Sequence, residues 1–318
     1  MQFFTTVPIA ISTSPISYQS RIVSLGSCFA ENIADKLHFY QFQNTVNPFG
    51  IIFNPISIEK IIRRAIHKDF FSEKDIFFHN ESWHSFEVHS ALSHPEKDFF
   101  LKKLNIRVRD FFHDISTATH LTLTLGTSWV YKSNASREIV ANCHKVPQKE
   151  FSKQLLSVAE INQSLINIVN LVREINSDCH FIFTISPVRH IKDGFVENQI
   201  SKSNLISAVY NLVQNQLPES TLSYFPSYEI MMDELRDYRF YSEDLLHPNT
   251  TAIDYIWSKF SATTVEKTSY STMNDVETIQ KGLQHRSFNA ASISHQKFLK
   301  NLDEKIEKMQ SKHPFMKF

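Results

Sequence analysis

The chain reads as a three-layer α/β protein with a central parallel sheet of about five strands. Three observations predict it. Short apolar, β-branched runs alternate with longer stretches of helical period, the pattern of strand–helix–strand units with helices on both faces. One stripe, Leu155, Val158, Ile161, Leu165, Ile168, Val169, Val172 and Ile175, keeps i/i+3/i+4 spacing for too long to be a strand. Ser27, Gly50, Gly126 and Ser186 each follow a strand-like run, so they gather on one rim of the sheet. Open α/β sheets bind their ligands on that rim.

Residues 22–25 are the first strand. Gly26-Ser27 makes the turn, and Ala30, Ile33, Ala34 and Leu37 give the amphipathic helix that follows. Residues 42–46 are the second strand. Within 70–95, two β-type runs flank Asn80-Glu81-Ser82, which predicts a β-hairpin inserted over the site rim. Residues 121–125 and 181–185 are the third and fourth strands, with the long helical stripe between them. Residues 198–217 are helical, carried by Ile200, Leu205, Val209, Leu212 and Val213, and lead to the fifth strand at 222–225. The polar stretch 261–274 reads as a linker. Beyond it, Phe298, Leu302, Ile306 and Met309 line one face of a charged helix, with the i,i+4 pair Glu304/Lys308 on the other. The division is therefore 1–260 as one domain and 261–318 as a linker and helical extension, which leaves an oligomer open through the C-terminal helix.

Composition narrows the partners. The 318 residues are 42% hydrophobic, enough for a large core. Lys+Arg and Asp+Glu are equal at 33, so there is no net field to draw nucleic acid or an anionic membrane. No apolar run is long enough to cross a bilayer. Met1-Gln2-Phe3-Phe4-Thr5-Thr6 has no basic segment before an apolar one, so it does not read as a signal peptide. Cys28, Cys143 and Cys179 fit neither a disulfide framework nor a zinc set, and the expectation is a reduced, cytoplasmic protein. His79, His84, His89 and His94 recur every five residues, but that spacing alternates faces on a strand and turns ~140° on a helix, so no metal is expected. No cofactor is expected either.

Two segments carry chemistry. Ser27 sits where the first strand turns into a helix, among free backbone N–H groups and a positive dipole end. Asp244-Leu245-Leu246-His247-Pro248-Asn249 puts a carboxylate and an imidazole three residues apart. A serine nucleophile needs a base, and the base needs an orienting partner. His247 and Asp244 supply both types. Read blandly, Ser27 is a helix cap and Asp244-x-x-His247 a surface hydrogen bond. No Gly-x-Ser-x-Gly elbow is present, which argues against an α/β-hydrolase arrangement.

Gly26-Ser27-Cys28-Phe29-Ala30 spells the motif that names the GSCFA family, which resembles a branch of the SGNH (GDSL-like) hydrolases. Similar motifs follow in order: Asn47-Pro48-Phe49-Gly50, Leu125-Gly126-Thr127-Ser128-Trp129, Asn142-Cys143-His144-Lys145-Val146-Pro147, Ser186-Pro187-Val188-Arg189-His190, Tyr224-Phe225-Pro226-Ser227-Tyr228-Glu229 and Asp244-Leu245-Leu246-His247-Pro248. The resemblance implies a flavodoxin-like, SGNH-type fold. It also implies Ser27 as nucleophile, Asp244 as orienter and His247 as base. The implied reaction is hydrolysis of an acyl ester, an acetyl ester for example, of a carbohydrate or small metabolite through an acyl-enzyme. An acyltransferase with the same triad, or a silent carbohydrate- or acyl-binding module, are the alternatives.

An oxyanion needs preorganised donors. The expected ones are the N–H groups of Ser27 and Gly50. The family pattern adds an asparagine after Gly-x on the third strand, where this chain has Gly126-Thr127-Ser128, and Gly26-Ser27 replaces Gly-Asp-Ser. The third donor is thus open between Thr127, Ser128 and Asn47. His144, Lys145, Arg189 and His190 are expected to line the pocket and meet an anionic or carbonyl oxygen, or else to make structural hydrogen bonds in their loops. Cys28 is expected to be a small core residue turned away from the site.

Overall fold

Five strands pair side by side in the computed structural model, which describes residues 4–215 and 221–318. Strand β1 (Arg21–Gly26) leads to helix α1 (Cys28–Phe39), strand β2 (Gln43–Val46) and helix α2 (Pro55–Ile66). A small hairpin, β3 (Phe77–His79) and β4 (Ser82–His84), precedes helix α3 (Lys97–Thr117) and strand β5 (His120–Leu125). Three short strands follow, β6 (Trp129–Ser133), β7 (Ile139–Val140) and β8 (Phe151–Leu155). Helix α4 (Val158–Ile175), strand β9 (His180–Ile185), helix α5 (Phe195–Asn215) and strand β10 (Leu222–Phe225) complete the sheet region. A short turn α6 (Ser227–Glu229) and helices α7 (Thr250–Thr264), α8 (Tyr270–Gln284) and α9 (Ile293–Lys312) end the chain. Residues 1–3 of the N-terminal stretch, and 216–217 of the helix expected over 198–217, lie outside the described residues.

The sheet order is β10-β9-β5-β1-β2, and every pair in it is parallel. Neighbouring residues of a strand point to opposite faces. Val23, Leu121 and Phe181 therefore pack with α2, α3, α4 and α5 on one side. Ile22, Ile182 and Phe225 pack with α1, α7, α8 and α9 on the other. This is the three-layer, flavodoxin-like arrangement. The chain runs from β1 out to β2 and then back past β1 to β5, so the carboxyl end of β1 is the switch point where such sheets leave a crevice.

Several elements differ from their expected limits. Leu155 belongs to β8, not to the helical stripe: α4 starts after Ser157, whose hydroxyl accepts from Glu160 N while Glu160 Oε2 accepts from Ser157 N at 2.8 Å. Ile200 is exposed, and the inward stripe of α5 runs through Asn198, Ser201, Lys202, Leu205, Ala208, Val209 and Leu212. The polar stretch 261–274 is no linker. Most of it is helical, at the end of α7 and the start of α8, and Met273, Val276 and Ile279 join the core beside Leu302 and Met309 of α9. Polar residues there lie on the outer face of docked helices, which composition does not distinguish from a linker.

The hairpin is present, with Asn80 and Glu81 both at positive φ, the geometry of a two-residue turn. It does not cover the site rim. The buried Arg64 on α2 bonds Glu87 at 2.7 Å and Asp75 at 3.2 Å, and this ionic cluster holds the segment against α2. The rim is instead covered by a three-stranded antiparallel sheet, β7-β6-β8, which the sequence reading did not anticipate.

Candidate active site

At the carboxyl ends of β1, β5 and β9 lies a cleft of about 500 Å³. Ser27 and Cys28 enter from the β1–α1 turn. Ile51, Phe53 and Asn54 come from the loop before α2, and Thr127 from the end of β5. Val188, Arg189 and His190 follow β9, and Leu246 and His247 close the opposite side. Trp129, Val130, Tyr131, Val140 and Lys153 of the small antiparallel sheet form its outer wall.

Gly26 makes the Ser27 turn possible. Its φ is +136°, and a Cβ there would meet the Thr124 carbonyl oxygen at 2.1 Å. Ser27 is the N-cap of α1, its Oγ accepting from Phe29 N at 3.2 Å. Asn47 braces the same turn: its Oδ1 accepts from Gly26 N at 2.9 Å and its Nδ2 donates to Glu31 at 3.2 Å. Asn249 caps α7 and so fixes the segment just after His247.

Asp244 and His247 are joined. Asp244 Oδ2 lies 2.6 Å from His247 Nδ1. Asp244 Oδ1 accepts from Leu246 N at 2.9 Å and His247 N at 3.0 Å. Those backbone bonds, with the one to the ring, hold the Asp244 carboxyl down to about 2, so it stays ionised. Leu245, between them, is at φ +57°. Arg189 holds this loop from the β9 side, its N–H donating to Leu246 O at 3.1 Å and its Nη1 to Leu245 O at 3.3 Å. Ser27 and His247 share the cleft, with no hydrogen bond joining them among the described residues.

The donors expected for an oxyanion are occupied. Ser27 N donates to Thr124 O at 3.0 Å, and Gly50 N to Asn47 O at 2.7 Å. Gly50 is needed for its turn at φ +75°, with a Cβ position 2.4 Å from His89 Cβ, and lies outside the cleft lining. Ser128 Oγ donates to Ser201 O at 3.1 Å, and Thr127 Oγ1 lies 2.7 Å from Ser201 Oγ. Gly126 bonds Phe53 O through its N–H, and its oxygen accepts from Lys202 Nζ. Asn47, Gly50, Gly126 and Ser128 are therefore supports, while Thr127, Arg189 and His190 line the cleft.

His144 and Lys145 lie elsewhere. His144 is buried beneath the hairpin, its Nδ1 3.1 Å from His84 Nδ1 and its Nε2 2.7 Å from Ser85 O. Burial lowers its ring to about 4. Both residues have positive φ and lie outside the cleft lining: His144 sits under the insertion, and Lys145 is exposed. Cys28 does line the cleft, contrary to expectation. Burial raises its thiol, which keeps it protonated.

Three groups escaped the sequence reading. Asn54 Oδ1 caps α2 through Ser57 N at 2.8 Å, which leaves its Nδ2 in the cleft without an acceptor among the described residues. The Cys28 N–H, at the first helical position, is likewise without a backbone acceptor there. Asn54 reads in sequence only as an Asn-Pro helix start. Lys202 is the third. It is wholly buried under the cleft, and its Nζ donates to Gly126 O at 2.6 Å and Ser186 O at 2.7 Å. It ties the ends of β5 and β9 together. Desolvation pushes it down to about 7. The signal was a lysine on the inward i/i+3/i+4 stripe of α5. His190 is pushed down to about 3 by burial and by the nearby Lys202, so its ring is neutral, and its Nε2 is buried without a partner among the described residues.

The model of the GSCFA family matches residues 21–260. The chain belongs to the GSCFA family. A second model, that of the GSCFA domain protein C-terminal domain, matches residues 276–318, most of α8 and all of α9. No curated protein matches the chain. The GSCFA match starts at β1 and ends within α7, so it takes in every strand of the sheet and every residue named in the cleft. Among the described residues no helix of this GSCFA protein is long and apolar enough to cross a membrane.

Proposed function

We propose that this GSCFA protein is a serine esterase of SGNH type, acting on an acyl ester, such as an acetyl ester, of a carbohydrate or small metabolite. The observation that carries the reading is the 2.6 Å bond from Asp244 to His247 Nδ1, on the cleft that also holds the helix-capping Ser27. Asp244 fixes the tautomer that leaves His247 Nε2 free to accept a proton. In the reading, His247 takes the Ser27 proton as Oγ attacks the acyl carbonyl. The oxyanion accepts from Cys28 N–H and Asn54 Nδ2, in place of the Ser27 and Gly50 N–H groups expected from sequence. His247 returns the proton to the departing alcohol, and water resolves the acyl-enzyme by the same steps in reverse. Val130, Val140 and Val188 give the acyl group an apolar wall.

Balanced charge and three free cysteines fit a cytoplasmic setting. The test is hydrolysis of p-nitrophenyl acetate together with fluorophosphonate labelling. Turnover, and a label mapped to Ser27 by peptide mass, support the reading. A label on another residue, or none with no turnover, rejects it. Product analysis with added alcohols separates hydrolase from acyltransferase.

A further inference from the structure

A second cavity of about 280 Å³ adjoins the cleft, and Arg189 lines both. Its character differs from that of the cleft. The Arg189 guanidinium faces three aromatic rings, with centroids at 5.4 Å for Phe195, 5.6 Å for Tyr241 and 5.9 Å for Tyr238. Phe195 and Tyr238, both lining the cavity, are each 63% exposed. The guanidinium makes one hydrogen bond, to Leu245 O, and no ion pair among the described residues. Arg236 also lines the cavity and has neither hydrogen bond nor ion pair among the described residues. Asp237 is the one carboxylate there, and its Oδ1 is taken by Arg239 N at 2.8 Å. Among the described lining residues, two arginines therefore stand against one partly satisfied carboxylate.

We propose that this cavity binds the alcohol half of the ester, and that this half is an anionic sugar. The exposed rings of Phe195 and Tyr238 offer faces for the apolar side of a pyranose, and Arg189 and Arg236 offer open N–H pairs to a carboxylate or phosphate. Guanidinium geometry matches either anion in a bidentate way. The placement beside His247 puts the sugar oxygen where a leaving alcohol receives its proton, and in that respect alone the inference rests on the esterase reading. The acyl group then occupies the apolar cleft and the sugar occupies the aromatic cavity, with Arg189 between them.

Binding separates the two ideas, because it needs no turnover. Methyl glucuronide, glucose 6-phosphate and methyl glucoside are titrated by calorimetry into the Ser27→Ala protein. The expected result is that one or both anionic sugars bind at least ten-fold more tightly than the neutral one, the carboxylate and phosphate arms showing which anion fits. Arg236→Gln, which breaks no contact within the protein, should reduce that preference at least five-fold. Arg189→Gln should do the same, while Phe195→Ala, which removes a ring and no charge, should weaken all three sugars alike. Equal affinity for neutral and anionic sugars, or an unchanged preference in Arg236→Gln, overturns the inference and leaves the esterase reading untouched. No ester turnover by the unsubstituted protein, with the anionic preference intact, does the reverse.

Discussion

Replacing Lys202 with methionine should remove a pH dependence of stability that this one side chain creates. An unfolded lysine titrates near its ordinary 10.5, whereas burial holds folded Lys202 down to about 7. Between those values the unfolded chain binds more protons than the folded one, so stability rises with pH across the window and is lost as pH falls back through it. From pH 7 to 9 the folded amine goes from half protonated to almost wholly neutral while the unfolded one keeps its proton. At ~1.4 kcal/mol per pH unit, this gives a gain of about 2 kcal/mol for the wild type. The neutral amine still has two N–H groups for Gly126 O and Ser186 O, so both bonds survive the titration. Methionine has no proton to lose and no donor. It leaves two carbonyls unpaired, at ~1–3 kcal/mol each, but its stability should not respond to pH through this site. Cys143 and Cys179, pushed up to about 11 and about 12, act in the opposite direction over the same range, and they cancel because both proteins carry them. The assay is urea unfolding of both proteins at pH 7, 8 and 9. The expected difference between their pH responses is about 2 kcal/mol. Parallel responses would refute the reasoning, because they would mean that the ammonium keeps its proton throughout or reaches solvent.

Ser27→Ala should abolish ester turnover and fluorophosphonate labelling while costing only the α1 cap, ~1 kcal/mol in a thermal or urea unfolding curve; wild-type turnover in this variant would move suspicion to Cys28, which shares the cleft. Asp244→Asn should keep the fold but lower kcat ~10³-fold or more, since an amide neither selects the tautomer nor stabilises imidazolium, and a loss of only a few-fold would reduce Asp244 to a turn residue. Acid should destabilise the protein through His144. Its folded ring titrates at about 4 against an ordinary 6.5, so stability contributed above the ordinary value falls away as pH drops from there toward 4. His144→Gln should lose measurably less stability than wild type between pH 7 and 5 in urea unfolding, and equal losses would show that the ring is not held neutral by burial.

The sequence by itself determined the layered fold and the chemistry-bearing turns. Hydrophobic period is a local property: β1, β5 and β9 are buried runs because both faces of a parallel sheet are covered, while the edge strand β2, Gln43–Val46, is polar and half-buried. Gly26-Ser27 and Asp244-x-x-His247 were legible for the same reason: each is complete within six residues, and the bond from Asp244 to His247 closes inside one turn. What the sequence could not convey was which loops meet. β6, β7 and β8 are short and partly polar, and they became a wall of the cleft only through pairing across up to 26 residues. His144 and Lys145 look in sequence like rim residues. Instead His144 packs under the hairpin, and Lys145 is exposed outside the cleft lining. The fate of backbone donors is tertiary too. Ser27 N is free in any local reading, but Thr124 O takes it once β5 lies beside β1, whereas Gly50 N is taken within its own turn by Asn47 O. Lys202 shows the point most sharply. Its charge reads as surface in the sequence, yet α5 turns it inward, because two strand-end carbonyls converge there and supply the partners that solvent otherwise would.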